Sequence, residues 1–191
     1  MSIHKIKKIK IVLLFFIIIS SFYACKNNSS KEETKINSPY FSPLLTNKNT
    51  SVFRGIDFNS SAENIKQTEN AKLYEATSDH LFYELDFPND TSQFIEYANI
   101  QYFLNPKNKL DIITVDVFLN DTIQEMTLKI DLLNYFNSKF KKIRNDDGTF
   151  PMWETTFEDS KTGNVYDYTI ALKNMYEDVG LSLEYMLETK E

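Results

Sequence analysis

Cysteine occurs once in these 191 residues, at Cys25, and histidine twice, at His4 and His80. One cysteine excludes an intrachain disulfide and any paired-thiolate metal site. Two distant histidines exclude the H-E-x-x-H arrangement of a zinc protease. No G-x-S-x-G nucleophile turn is present. The four glycines, Gly55, Gly148, Gly163 and Gly180, are too scattered to build a phosphate-cradling loop. Basic charge is also scarce: 21 Lys and Arg stand against 27 Asp and Glu, a net of −6. With no basic stripe interleaved with aromatics, nucleic acid is not an expected partner.

Acids are plentiful, but their spacing argues against chemistry. Asn145 to Thr149, "NDDGT", looks like part of a calcium loop. Gly148 at position 6 of an EF-hand would put Glu154 at position 12, which fits, and Ile143 at position 1, which cannot ligate. The stretch reads as a helix-to-strand turn. The pairs Glu32–Glu33, Asp146–Asp147, Glu158–Asp159 and Glu177–Asp178 fall in a tether or in turns. Glycoside hydrolysis needs two carboxylates facing each other across a cleft. The strand acids Glu84, Asp116 and Glu184 alternate with apolar residues and belong on wet faces. His80, beside Asp79 at a turn, reads as a solvated side chain. The N-x-S/T sequons, at Asn59, Asn89 and Asn120 among others, read as chance in an Asn-rich chain. The reading is of a protein without catalytic residues, metal or cofactor.

The N-terminus is where the sequence is most specific. Lys5, Lys7, Lys8 and Lys10 precede an unbroken apolar run from Ile11 to Ile19. Small or aromatic residues continue to Ala24, Cys25 follows, and polar residues take over. The 14 residues from Ile11 to Ala24 fall short of the about 20 needed to span a bilayer. A charged region, a short apolar region and a small residue before a cut describe a signal peptide over residues 1–24. The matching residues Ala24 and Cys25 resemble the processing site of bacterial lipoproteins, with Phe22 and Tyr23 in the relaxed positions found in Bacteroidota. That resemblance implies cleavage between Ala24 and Cys25, acylation of Cys25 with diacylglycerol and an amide-linked chain such as palmitate, and attachment to the cell outer membrane. Two or more chains anchor stably where one does not. Lys26 follows the cysteine, and Glu32 and Glu33 come late, which leans toward the periplasmic face, with the cell surface as the alternative. The signal carries four lysines and no acid, so the mature chain has 17 basic and 27 acidic residues, a net of −10. The lipid, not the surface charge, would hold such a protein to a membrane.

Residues 25–50 read as the lipidated cysteine and a flexible tether, with Pro39 and Pro43 and no sustained periodicity. Tyr40, Phe41, Leu44 and Leu45 can either dock on the domain or trail with the tether. Residues 51–191 then form one domain, whose core must come from burial alone. The chain's 15 Phe, 11 Tyr and single Trp supply material for it. "SSAENIKQTEN" (60–70) is a helix with a Ser60–Glu63 capping box. "DHLFYELDF" (79–87), "FIEYANIQYFL" (94–104) and "LDIITVDVFL" (110–119) alternate as strands. Residues 120–143 place Ile123, Met126, Ile130, Leu133 and Phe140 at helical spacing, with Asp121 or Thr122 as cap. Ile130 and Leu133 are expected to face the core and Lys129 and Asn134 to lie outside. "TFPMWETTFED" (149–159) and the alternating runs 166–173 and 181–188 complete a second meander.

The expected fold is therefore α+β: two tandem helix-then-antiparallel-meander units with helices packed on one face of the sheets. Phe53, Gly55, Ile56, Ser60, Ile65 and Glu69 resemble the opening of small bacterial extracytoplasmic domains. Their helix-then-meander order is similar to that of the small lipoprotein of the barrel-assembly machinery. Tyr83, Tyr102, Trp153, Tyr166, Tyr168 and Tyr185 alternate with polar residues, which makes them core first and a sugar- or peptide-stacking surface second. The functional expectation is a lipid-anchored, extracytoplasmic, non-catalytic binding or envelope-accessory module with an unidentified protein partner. The alternatives are an inhibitor or immunity-type protein that captures a basic partner, and behind both a carboxylate hydrolase.

Overall fold

Alternating side chains create the sheet on which everything else is placed. The computed structural model describes residues 36–45, 51–87, 95–143, 150–159 and 162–188. The signal, Cys25, the first part of the tether and the "NDDGT" turn lie outside the described residues. Among the described residues there are eight strands: β1 (Lys72–Ala76), β2 (His80–Asp86), β3 (Tyr97–Leu104), β4 (Leu110–Phe118), β5 (Lys141–Ile143), β6 (Met152–Glu158), β7 (Val165–Asn174) and β8 (Gly180–Leu187). They form one antiparallel sheet in the order β1-β2-β3-β4-β8-β7-β6-β5. Among the described residues three helices accompany it: α1 (Phe41–Leu44), α2 (Ala62–Thr68) and α3 (Thr122–Lys139).

This corrects the expectation of two tandem helix-then-meander units. β4 pairs with β8 from Ile112↔Met186 to Phe118↔Gly180, which fuses the meanders into a single sheet. Separate units would each leave a long strand with unpaired backbone N–H and C=O groups. β4 and β8 are those strands, and pairing them satisfies both. Gly180 permits the junction, because a Cβ there would lie 2.0 Å from the Val117 carbonyl oxygen. Only α3 is a substantial helix. It carries the chain from the central strand β4 to β5 on the outer edge. β1 was not legible because all five of its residues are exposed, so it lacks the one-sided alternation that marks a strand.

One face of the sheet is the core. Leu81 and Tyr83, Ile100 and Tyr102, Val115 and Val117, Leu183 and Tyr185, Ile170, and Trp153 are all buried on it. The aromatics read as core first are therefore placed there, with Tyr166 half-buried and packed against its margin. Three segments cover the face. α3 lays Phe136 against Trp153 at 5.0 Å and Tyr185 at 6.4 Å. Phe53 meets Tyr185, and Phe58 meets Tyr168, each at 5.3 Å. Residues 36–45 bury Tyr40, Phe41, Leu44 and Leu45, so this stretch docks.

The helix ends also refine the sequence reading. Asp121 caps α3, accepting from the N–H groups of Ile123 and Gln124. Ser61, not Ser60, caps α2 and accepts from Asn64 N–H. The face of α3 is a second correction. Its buried residues are Leu128, Asp131, Leu132 and Phe136, while Ile123, Met126 and Ile130 are exposed and Leu133 is half-buried.

Two buried acids fasten residues 36–45 to the domain. Asp131 Oδ2 accepts from the backbone N–H groups of Asn37 and Ser38 at 2.8 and 2.7 Å. Glu96 Oε2 accepts from the Tyr40 hydroxyl at 2.6 Å. Burial and this carboxylate push the Tyr40 hydroxyl far above its ordinary pKa. Asp131→Ala leaves two backbone donors without an acceptor, so it should cost about 1–3 kcal/mol. Residues 36–45 should then be cut first in limited proteolysis. A variant as stable and as protease-resistant as the parent would mean that the apolar anchors alone hold the segment.

Candidate functional site

The other face of the sheet carries no helix among the described residues, and its residues fall into rows set by register. The first row runs His80, Phe103, Ile112, Met186 and Thr169 across β2, β3, β4, β8 and β7. The second contains Phe82, Gln101, Thr114 and Glu184. The third contains Glu84, Asn99, Asp116, Ser182 and Lys173. The fourth opens with Asp86, Tyr97 and Phe118. A polar band is thus flanked by aromatic corners.

The first corner is ordered by ring contacts. His80 stacks on Phe103 at 4.9 Å between centroids and lies nearly parallel to Phe82 at 6.4 Å. Tyr74, exposed on β1, meets Phe82 at 5.3 Å. His80 Nε2 lies 3.1 Å from Gln101 Oε1. The register has therefore placed His80 in an aromatic cluster and not free at a turn. At the second corner Tyr97 and Phe118 stack at 4.7 Å and 18°. Between the corners, Lys173 Nζ pairs with Glu184, which leaves Glu84 and Asp116 without a salt bridge among the described residues. Those two sit on strands separated by β3, about 10 Å apart at the backbone. Asn99 Oδ1 lies between them in the same row and has no hydrogen-bond partner among the described residues. Flat rings beside amide and carboxylate groups can stack on, and hydrogen-bond to, a ligand with both apolar and polar faces.

The sequence did contain a signal for this face. Phe82, Phe103, Ile112 and Phe118 are out of phase with the core residues of their own strands. Each is large and apolar where alternation calls for a polar residue.

A second cluster is chemically richer but sealed. Phe53 and Ile56 exchange backbone hydrogen bonds around Arg54 and Gly55, both at positive φ, 49° and 85°. This tight turn swings Arg54 onto Glu69, with Nη2 to Oε1 at 2.9 Å and side chains only 5% and 0% exposed. Glu69 also accepts from the Tyr102 hydroxyl at 2.6 Å and from Ala71 N–H at 2.8 Å. Arg54 Nη1 donates to the Pro43 carbonyl at 2.5 Å. Burial alone would raise the Glu69 carboxyl. The hydrogen bonds and charge of Arg54, with Tyr102 and Ala71, outweigh it and hold the group below its ordinary value. Burial first, and then the Glu69 charge, push the Tyr102 hydroxyl well up. The cluster ties residues 43, 54, 69 and 102 together beneath the surface.

Among the described residues no group of three or more His, Cys, Asp or Glu could hold a metal ion. Ala24 and Cys25, the processing and lipidation residues of the sequence reading, lie outside the described residues. No family model matches the chain, and neither does any curated protein or solved structure.

Proposed function

We propose that the protein is a lipid-anchored, extracytoplasmic binding module, held to the periplasmic side of the outer membrane through Cys25. It acts by binding, through the open face of its sheet. The observation that carries the anchoring is the sequence around its only cysteine: four lysines, an apolar run too short to span, Ala24, Cys25, then polar residues. What supports the binding surface is the pair of aromatic corners around a polar band, since tyrosine and other aromatics dominate recognition sites. Glu84, Asp116 and Glu184 against Lys173 give this face an acid surplus. That surplus favours a basic protein partner, as an inhibitor or immunity-type role would require.

One experiment tests both parts. The full chain and Cys25→Ser are expressed in a diderm bacterium, and the envelope is solubilised in detergent and pulled down on the protein. The parent should gain the mass of a diacylglycerol-modified cysteine and sediment with membranes, and Cys25→Ser should do neither. A partner captured by the parent should be lost with Phe82→Ser/Phe103→Ser. Identical fractionation and mass gain in Cys25→Ser would refute the anchor. Undiminished capture by the double variant would refute the surface.

A further inference from the structure

Of the ten large apolar side chains exposed among the described residues, four, Leu73, Tyr74, Val165 and Met186, lie on the sheet, and the other six lie on α3 or on segments bonded to it or to its cap. Ile123 is 77% exposed, Met126 64% and Ile130 48%, at i, i+3 and i+7 on one stripe of the helix. Ile95 precedes Glu96, which accepts from Asn120 N–H just ahead of the α3 cap. Tyr176, 98% exposed, is two residues beyond Asn174, whose amide oxygen accepts from Lys129 of α3. Ile36, also exposed, directly precedes the two N–H groups that Asp131 of α3 binds.

We infer that this stripe of α3 lies on the surface of the bilayer in which Cys25 is anchored, an inference that rests on the lipoprotein reading. Three observations select a membrane as the occupant. The first is reach. The chain enters the domain at α3, through the clip on Asp131, and only eleven residue steps separate Ile36 from Cys25. Whatever their conformation, eleven steps cannot exceed about 40 Å. The second is charge. In a mature chain with 17 basic and 27 acidic residues, Lys129 stands beside Met126 and Ile130 on α3, and Lys142, in register with the core-facing Trp153, lies on the helix side of the sheet. Basic residues beside an apolar stripe suit an anionic headgroup layer. The third is form. No helix among the described residues is long and apolar enough to cross a membrane. An amphipathic helix carrying isoleucine, methionine and a neighbouring tyrosine instead lies in the interface plane. This orientation turns the opposite side of the sheet, with its aromatic corners, away from the lipid and toward a partner.

The single native cysteine makes the test clean. Once Cys25 is acylated, an introduced cysteine is the only free thiol. The full-length lipidated protein is reconstituted in vesicles of phosphatidylethanolamine with a minor fraction of phosphatidylglycerol. An environment-sensitive fluorophore is placed at Met126→Cys, at Ile130→Cys, or at Thr156→Cys on the open face. Spin-labelled lipid buried in the bilayer should quench the first two severalfold more than the third. Adding Ile123→Glu should weaken that quenching at Met126→Cys while the protein stays anchored. Lipid on Cys25 by mass, with equal quenching at all three sites, would overturn this inference and leave the anchor standing. No lipid on Cys25 would overturn both. Protection of Met126→Cys that persists in lipid-free detergent and fades on dilution would assign the stripe to a second copy and overturn the membrane assignment.

Discussion

Glu69→Ala should destabilise the protein by about 3–5 kcal/mol, the cost of stranding one member of a buried ion pair. The effect is large because Glu69 is, among the described residues, the one salt-bridge partner of a nearly solvent-free Arg54 and also accepts from the Tyr102 hydroxyl and Ala71 N–H. Removing the carboxylate leaves a buried guanidinium and two donors unsatisfied together. Arg54→Leu/Glu69→Leu should lose clearly less than the sum of the two single changes, because it removes both charges. Urea unfolding measures all of these. Strict additivity would mean that the two residues do not act as a pair. Acid gives an independent check. The Glu69 carboxyl titrates below its ordinary 4.5 in the folded protein, so the unfolded chain binds the proton first as pH falls. Its contribution is therefore complete above that value and is lost as pH drops below it, through the folded-state pKa. The parent should lose stability over that range, and Glu69→Ala should show a shallower loss. Parallel curves would mean that other carboxylates govern the acid response.

Leu132→Ala should cost about 2–5 kcal/mol, whereas Ile130→Ala should stay within about 0.5 kcal/mol of the parent. Leu132 is fully buried beneath α3, and Ile130, two residues earlier, faces outward. Leu133→Ala, at a half-buried position, should fall between them. The measurement is equilibrium unfolding of the three variants in one denaturant series. A loss at Ile130 comparable to that at Leu132 would mean that α3 is rotated about its axis relative to this description. In the full chain, the same Ile130→Ala change should leave folding intact while weakening the contact proposed for the membrane.

The helix itself was legible in residues 120–143, with Asp121 as its cap, but Lys141–Ile143, read as part of its basic last turn, form β5, and its orientation was not legible. Ile123, Met126, Ile130 and Leu133 form one stripe, and Leu128, Leu132 and Phe136 form another well over a third of a turn away. Both satisfy helical spacing, and leucine and isoleucine carry no mark of which face a core will take. The choice was made by contacts distant in sequence: Trp153 and Tyr185 receive Phe136, and Asn37 and Ser38 require Asp131 beneath them. The buried Arg54–Glu69 pair was hidden for the same reason. Fifteen positions separate the partners, and nothing local distinguishes a buried glutamate from a solvated one.

The sequence by itself determined the strands whose inner faces alternate, such as Leu81, Tyr83 and Leu85. It also determined the helix between the meanders, the acidic balance, and the lone Cys25 with its apolar approach. These follow from periods of two and 3.6 residues and from composition, which act over a few neighbours at a time. Only the tertiary structure decided that β4 and β8 join the meanders into one sheet, since backbone edges pair without regard to side-chain pattern. It alone decided that Phe82, Phe103 and Phe118 gather on the open face, because cross-strand register sets which side chains become neighbours. It alone placed Ile123, Met126 and Ile130 outside, because a helix with two apolar stripes has one core to fill and leaves the other stripe exposed.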